Sequence, residues 1–150
     1  MYLKLDSIPG ESTVKGYEQW IPVSDVQFGV DVPVINSTPG KAKLSGIQFK
    51  KVYDAASAPI LLASLQGKPI KSATFAFVKP GATPIKFLTI NLTTAFITSY
   101  SFTDTVESVS LSYTVISTGY SSQKPDGSLN PMVKSAWDAL KGAVTTPVIP

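Results

Sequence analysis

Apolar side chains recur at every second position along much of this chain, and that spacing limits its fold more than any other feature. Val26, Phe28, Val30, Val32 and Val34 alternate with Gln27, Gly29, Asp31 and Pro33. Leu88, Ile90 and Leu92 alternate with Thr89, Asn91 and Thr93, and Val109, Leu111, Tyr113 and Val115 with Ser110, Ser112 and Thr114. Ala73, Phe75 and Phe77 give a shorter run of the same kind. Successive side chains of an extended strand point to opposite faces of a sheet, so period two puts apolar groups on one face and hydroxyls on the other. Val, Ile, Thr, Phe and Tyr also fill a pleated surface well. The pattern predicts half-buried antiparallel strands near 2–6, 20–28, 43–50, 72–78, 85–93, 96–102 and 107–120.

Turn residues separate these runs. Pro9-Gly10, Thr38-Pro39-Gly40, Lys79-Pro80-Gly81 and Lys124-Pro125-Asp126-Gly127 each join a fixed φ to a residue that tolerates positive φ. The stretch from Pro80 to Pro84 is short enough to make a hairpin of strands 72–78 and 85–93. One helix interrupts the strands near 57–66: Ser57 can cap it, Pro59 lies in its first turn, and Gly67 stops it. Ile60, Leu61 and Leu65 have helical spacing, and Leu61, Leu62 and Leu65 are expected to close one side of the molecule. A second helical turn is expected over Ser135 to Lys141. The sum is a mainly β fold, a small antiparallel β-barrel with one short flanking α-helix, with a β-sandwich as the alternative. No repeat, low-complexity block or linker divides the chain, so residues 1–150 read as one domain.

The residue inventory narrows the chemistry. His and Cys are absent, which removes thiol nucleophiles, disulfides, imidazole bases and the common zinc, copper and haem ligands. No cofactor or metal is therefore expected. The net charge is +3, and all 13 basic residues are scattered lysines; without the planar fork of arginine, nucleic acid is not an expected partner. The carboxylates, among them Asp6, Asp54, Asp104, Glu107 and Asp126, lie beside turns or at strand ends and read as solvated. Ser-Lys catalysis would need a desolvated lysine beside a serine, and Ser45-Lys43 and Lys71-Ser72 read as ordinary neighbours. Asn36-Ser37-Thr38 and Asn91-Leu92-Thr93 match the glycosylation triplet weakly. The first residues, Met1 to Asp6, do not form a signal peptide, and no stretch is long and apolar enough to span a bilayer. A cytosolic chain without membrane insertion is expected. Charged residues make up only 15% of the chain against roughly 25% in typical soluble domains. So little surface charge protects poorly against self-association, which favours an assembling subunit over an enzyme.

Four segments, in order, resemble the haemolysin-coregulated proteins, Hcp. Tyr2-Leu3-Lys4-Leu5-Asp6 with Ile8-Pro9-Gly10-Glu11-Ser12 is similar to the family's opening strand and Gly-Glu-Ser turn. Ser45 to Asp54, then Ser57-Ala58-Pro59-Ile60-Leu61, is similar to its strand, Asp-ended turn and short helix. Leu88 to Leu92 with Glu107 to Tyr113 forms the third, and Tyr120, Gln123 to Gly127, Val133-Lys134 and Trp137-Asp138 the fourth. The resemblance implies a β-barrel that assembles as hexameric rings, stacked into the inner tube of a type VI secretion system. A contractile sheath and a tip spike are then partners, and small effector proteins can travel in the ring lumen. It implies no catalytic residues, and export without a signal peptide after assembly in the cytoplasm. Residues 29–41 occupy the place of the family's ring-stacking excursion, here with apolar Val30, Val32, Val34 and Ile35. The family runs extended past its Trp, and the tail Thr146 to Pro150 is unfamiliar in it. Outside the family reading, a monomeric or low-order binding module is the rival function.

Overall fold

One long hairpin organises the molecule, whose computed structural model describes residues 1–150. Its strands are β10 (Ile85–Thr103) and β11 (Val106–Tyr120). Asp104 and Thr105 join them with φ of 49° and 67°. Two central residues of positive φ twist in the sense that antiparallel strands require. The sequence predicts two strands, 85–93 and 96–102, where the chain forms only β10. The break in the pattern is real but local: the inward phase runs through Ile90 and Leu92, then shifts to Ala95 and Ile97. Thr94, at φ 48°, absorbs part of that shift, and the register slips again between Ile97 and Ser99. Such bulges bend a strand without ending it.

The remaining strands wrap around this hairpin. β9 (Ile70–Lys79) pairs β10 across the short Pro80–Pro84 connection, as the turn signals predict. β1 (Tyr2–Leu5) pairs β9, and β2 (Ile21–Pro22) pairs β1. β2 continues through Val23 into β3 (Ser24–Gln27), which pairs β8 (Ile47–Val52); β8 in turn pairs the first half of β11. The hydrogen-bonded circuit thus returns to the long hairpin through one bent segment, Ile21 to Gln27. Inside it lie Leu3, Ile21, Ile47, Phe49, Phe75, Leu92, Val109 and Leu111, each no more than 1% exposed. Phe49 and Phe75 meet edge to face with centroids 5.6 Å apart, a favoured aromatic geometry. Gly10, predicted as a turn residue, serves close approach instead. A Cβ there would stand 2.4 Å from the Trp20 carbonyl oxygen, while its N–H donates to Gln19 O at 2.7 Å.

The second half of β11 pairs a different neighbour, β12 (Val133–Asp138), which pairs β13 (Ala143–Val144). The expected helical turn over Ser135 to Lys141 is therefore strand and turn. The free edge of β11 offers Val133–Asp138 a hydrogen-bond ladder, which outweighs a weak local helical preference. Asp138 then ends the strand: its Oδ1 accepts from the N–H groups of Leu140 and Lys141 at 3.0 and 2.9 Å.

The helix α1 (Ser57–Gln66) forms where predicted, but with the opposite side inward. Ser57, Ile60 and Ala63 are buried, whereas Leu61, Leu62 and Leu65 are 39%, 54% and 76% exposed. The leucines do not close the barrel. Two competing stripes are written on this helix, and the one that turns inward carries Ser57, which bonds Lys51 and Glu107 inside the molecule. Nor does Ser57 cap the helix. The N-cap position is Ala56, which has no side-chain cap bond; in the turn before it Asp54 Oδ1 accepts from Ala56 N–H at 2.9 Å, while Ser57 Oγ accepts from Asp54 N–H at 2.8 Å. Gly67 ends the helix at φ 61°, with Gly67 N–H donating to Ser64 O and Lys68 N–H to Ala63 O, the bond pair of a left-handed C-terminal cap.

Candidate assembly arm and buried charge cluster

Between β3 and β8 the chain leaves the barrel as an arm that pairs only with itself. β4 (Val30–Asp31) pairs β7 (Lys43–Leu44), and β5 (Val34–Ile35) pairs β6 (Thr38–Pro39). At the root, Gly29 N–H donates to Ser45 Oγ at 2.7 Å and Ser45 N–H to Gly29 O at 2.9 Å. At the tip, Asn36 and Ser37 take φ of 51° and 62°, a two-residue hairpin turn. The period-two run from Val26 to Val34 predicts a half-buried strand. Val26 does pack on the core, but from Phe28 onward the run has no second layer beneath it. Val30, Val32, Val34 and Ile35 are 52%, 45%, 65% and 72% exposed. An apolar group left in water forgoes roughly 25 cal/mol per Å² of stabilisation, so a row of four on one thin arm is a surface suited to being covered. At the foot of the arm, Phe28, Val30 and Leu44 face Ile116, Ala136 and Trp137 across a groove of about 600 Å³.

The second feature is hidden. Lys51 and Glu107 are cross-strand partners on β8 and β11, and both side chains are 0% exposed. Lys51 Nζ donates to Glu107 Oε1 at 2.7 Å, Ser57 Oγ at 2.7 Å and Val52 O at 3.1 Å, and lies 2.9 Å from Asp54 Oδ1. The Ser57 hydroxyl donates in turn to Glu107 Oε1. Burial alone would raise the Glu107 carboxyl; hydrogen bonds from Lys51, Ser57 and Tyr100, with the Lys51 charge, outweigh it and hold the group below the ordinary value. Glu107 Oε2 has no well-formed partner, so the Tyr100 hydroxyl is only a loose donor to this carboxylate. Burial and that carboxylate push Tyr100 up.

Two sequence expectations are corrected here. Glu107 and Asp54 are not solvated turn residues: they close a buried ion-pair cluster that joins β8, β11 and the start of α1. A desolvated lysine does stand beside a serine, but the pair is Lys51 and Ser57, not the sequence neighbours. It does not make a nucleophile. Ser57 is 0% exposed, and its oxygen already donates once and accepts from Lys51 and Asp54 N–H, so no substrate reaches it. The signal for this cluster lay in the strand phase, since Ile47, Phe49 and Lys51 share one face, as do Glu107, Val109 and Leu111. No group of three or more His, Cys, Asp or Glu side chains is placed to hold a metal ion. Asn91, in one glycosylation triplet, is 2% exposed and bonded to Thr74. No helix is long and apolar enough to cross a membrane.

The fold has relatives. The sequence profile of the family described as type VI secretion system effector, Hcp, matches residues 2–120. Among solved structures, a "type six secretion system protein" of 22% identity superposes with a TM-score of 0.88, covering 96% of this chain and 98% of that one. A "type VI secretion system effector" from Yersinia pestis is 26% identical, with a TM-score of 0.77 over 92% of this chain and 98% of its own. Hcp1 from Salmonella typhimurium is 21% identical, with a TM-score of 0.77 over 96% and 97%. Among curated protein sequences none matches. With the profile running from β1 through β11 and the fold shared to β12 and beyond, this chain belongs to the Hcp family of type VI secretion system proteins.

Proposed function

We propose that the whole chain, residues 1–150, is a structural subunit of a type VI secretion tube, built as hexameric rings that stack. The observation that carries this reading is the self-paired arm, whose Val30, Val32, Val34 and Ile35 stand in water although the barrel is complete without them. Head-to-tail contacts close a ring when the rotation between copies divides a full turn, and the same subunit then presents two unlike faces for stacking. The arm is the element that reaches from one ring to the next. The sheath and the tip spike are the outer partners, and the lumen has room for small effector proteins. Rings assemble in the cytoplasm and leave the cell with the spike. The role is mechanical, not enzymatic; the buried Lys51–Glu107 cluster supports this, since its polar groups face one another and not a substrate.

Measuring solution mass by light scattering, with negative-stain imaging, tests the reading. A species six times the 16.0 kDa subunit, seen as rings, is expected. A 16.0 kDa species alone across micromolar to millimolar concentration would overturn it in favour of a monomeric binding module.

A further inference from the structure

Past β13 the tail, Thr145 to Pro150, leaves the ladder and crosses the outer side of β11 and β10. Thr145 N–H still donates to Ala136 O at 3.2 Å. Beyond it, Pro147 and Pro150 have no N–H, so the tail cannot zip on as another strand. Side chains of the sheet hold it instead. Val148 N–H donates to Ser117 Oγ at 3.1 Å, Val148 O accepts from Asn91 Nδ2 at 3.0 Å, and Pro150 O accepts from Lys86 Nζ at 3.3 Å. Ile149 Cδ1 lies 3.4 Å from where a Cβ on Gly119 would stand.

Part of what the tail crosses is polar. Thr74, Asn91 and Ser117 form one register row across β9, β10 and β11, with Thr89 in the next. All four are at most 5% exposed, and Thr89 Oγ1 has no partner. Lifting the tail exchanges three hydrogen bonds to the sheet's side chains for bonds to water. Val148, at the centre of the strap, is itself 54% exposed. The tail is thus held by three hydrogen bonds to side chains, the one from Lys86 at 3.3 Å.

We propose that this stripe is a contact surface between copies, and that in the assembled state the tail of one subunit lies on the stripe of its neighbour. The proposal rests on the ring reading above. The complementarity needs no invention, because every bond made within one chain has an identical donor and acceptor in the next. Exchange of identical elements is a low-cost route to association. The tail follows a strand of only two residues, β13. The extended tail reaches about 20 Å, and neighbours in a ring present their stripes at high effective concentration.

The test uses the full chain with a diazirine analogue of leucine at position 149, mixed as equal isotope-heavy and light copies, dissociated, reassembled and irradiated. Cross-links from a heavy tail to a light segment around Gly119 or Met132, at the statistical share, are expected in rings, and only same-isotope links in dilute subunits. Rings that give same-isotope links alone overturn the exchange and leave the ring reading intact. Absence of rings, scored by mass before irradiation, overturns both.

Discussion

Lys51 and Glu107 meet across β8 and β11 with no exposed side-chain surface, and the rest of the charge cluster is arranged to make that tolerable. Each buried ion has lost its hydration, which costs several kcal/mol in real proteins. The return comes from four acceptors around one ammonium, contributed by Glu107, Asp54, Ser57 and Val52. Removing one partner strands the other, so Glu107→Gln should cost about 3–5 kcal/mol at pH 7 by urea unfolding. The double variant Lys51→Met with Glu107→Leu should cost far less than the sum of the single changes, because neither charge is left alone. A double-mutant cycle reads the difference, and additive costs would show that the pair is uncoupled. The pH dependence has a definite sign. The Glu107 carboxyl is held below its ordinary value of 4.5, so its contribution is complete above that pH and is lost as pH falls toward the lower folded value. Stability of the parent should drop steeply below about pH 4.5, and this part of the drop should vanish in Glu107→Gln.

At the scale of elements, α1 and the arm separate what a pattern can reveal from what it cannot. The position of α1 was legible, since Pro59 and Gly67 mark its ends whatever it packs against. Its inward side was not, because Leu61 and Leu65 carry a stronger apolar stripe than Ser57, Ile60 and Ala63. Burial of Ser57 follows from Lys51 and Glu107, which are distant in sequence. Truncating Ile60 to Ala should therefore cost about 2–5 kcal/mol, whereas Leu65→Ala should change stability by no more than about 0.5 kcal/mol. Thermal denaturation of dissociated subunits distinguishes them, and equal losses would mean that α1 packs on both sides. The arm teaches the complementary lesson. Its alternation marks extended chain, but periodicity reports only that one face is apolar, not that anything covers it. Only the resemblance pointed to residues 29–41 as a projecting segment. Replacing Val32 and Val34 together with Ser should leave subunit stability and ring mass unchanged while reducing the length of stacked assemblies seen by electron microscopy. Unfolding of that variant would place both residues in the subunit's own core.

For the molecule as a whole, the balance of charge and apolar surface predicts which force holds copies together. Each subunit carries a net +3, so identical copies repel weakly at long range. Apolar side chains stand exposed at several places: the arm valines, the outer leucines of α1, and Val133, Leu140 and Val144, which are 74%, 80% and 81% exposed. Salt distinguishes the two forces. Between about 0.1 and 1 M the screening length falls from roughly 10 to 3 Å, which removes the mutual repulsion of the subunits and strengthens apolar burial slightly. Ring and tube formation should accordingly persist or tighten as sodium chloride is raised, and tighten further in sulfate, an ion that reinforces burial. Cooling should act in the opposite direction, because apolar association weakens as temperature falls. Sedimentation of one preparation across salt and temperature measures both dependences together. Rings that dissolve at 1 M sodium chloride would show that exposed lysines pair with carboxylates on neighbouring copies, and the apolar arm could not then be the principal contact between them.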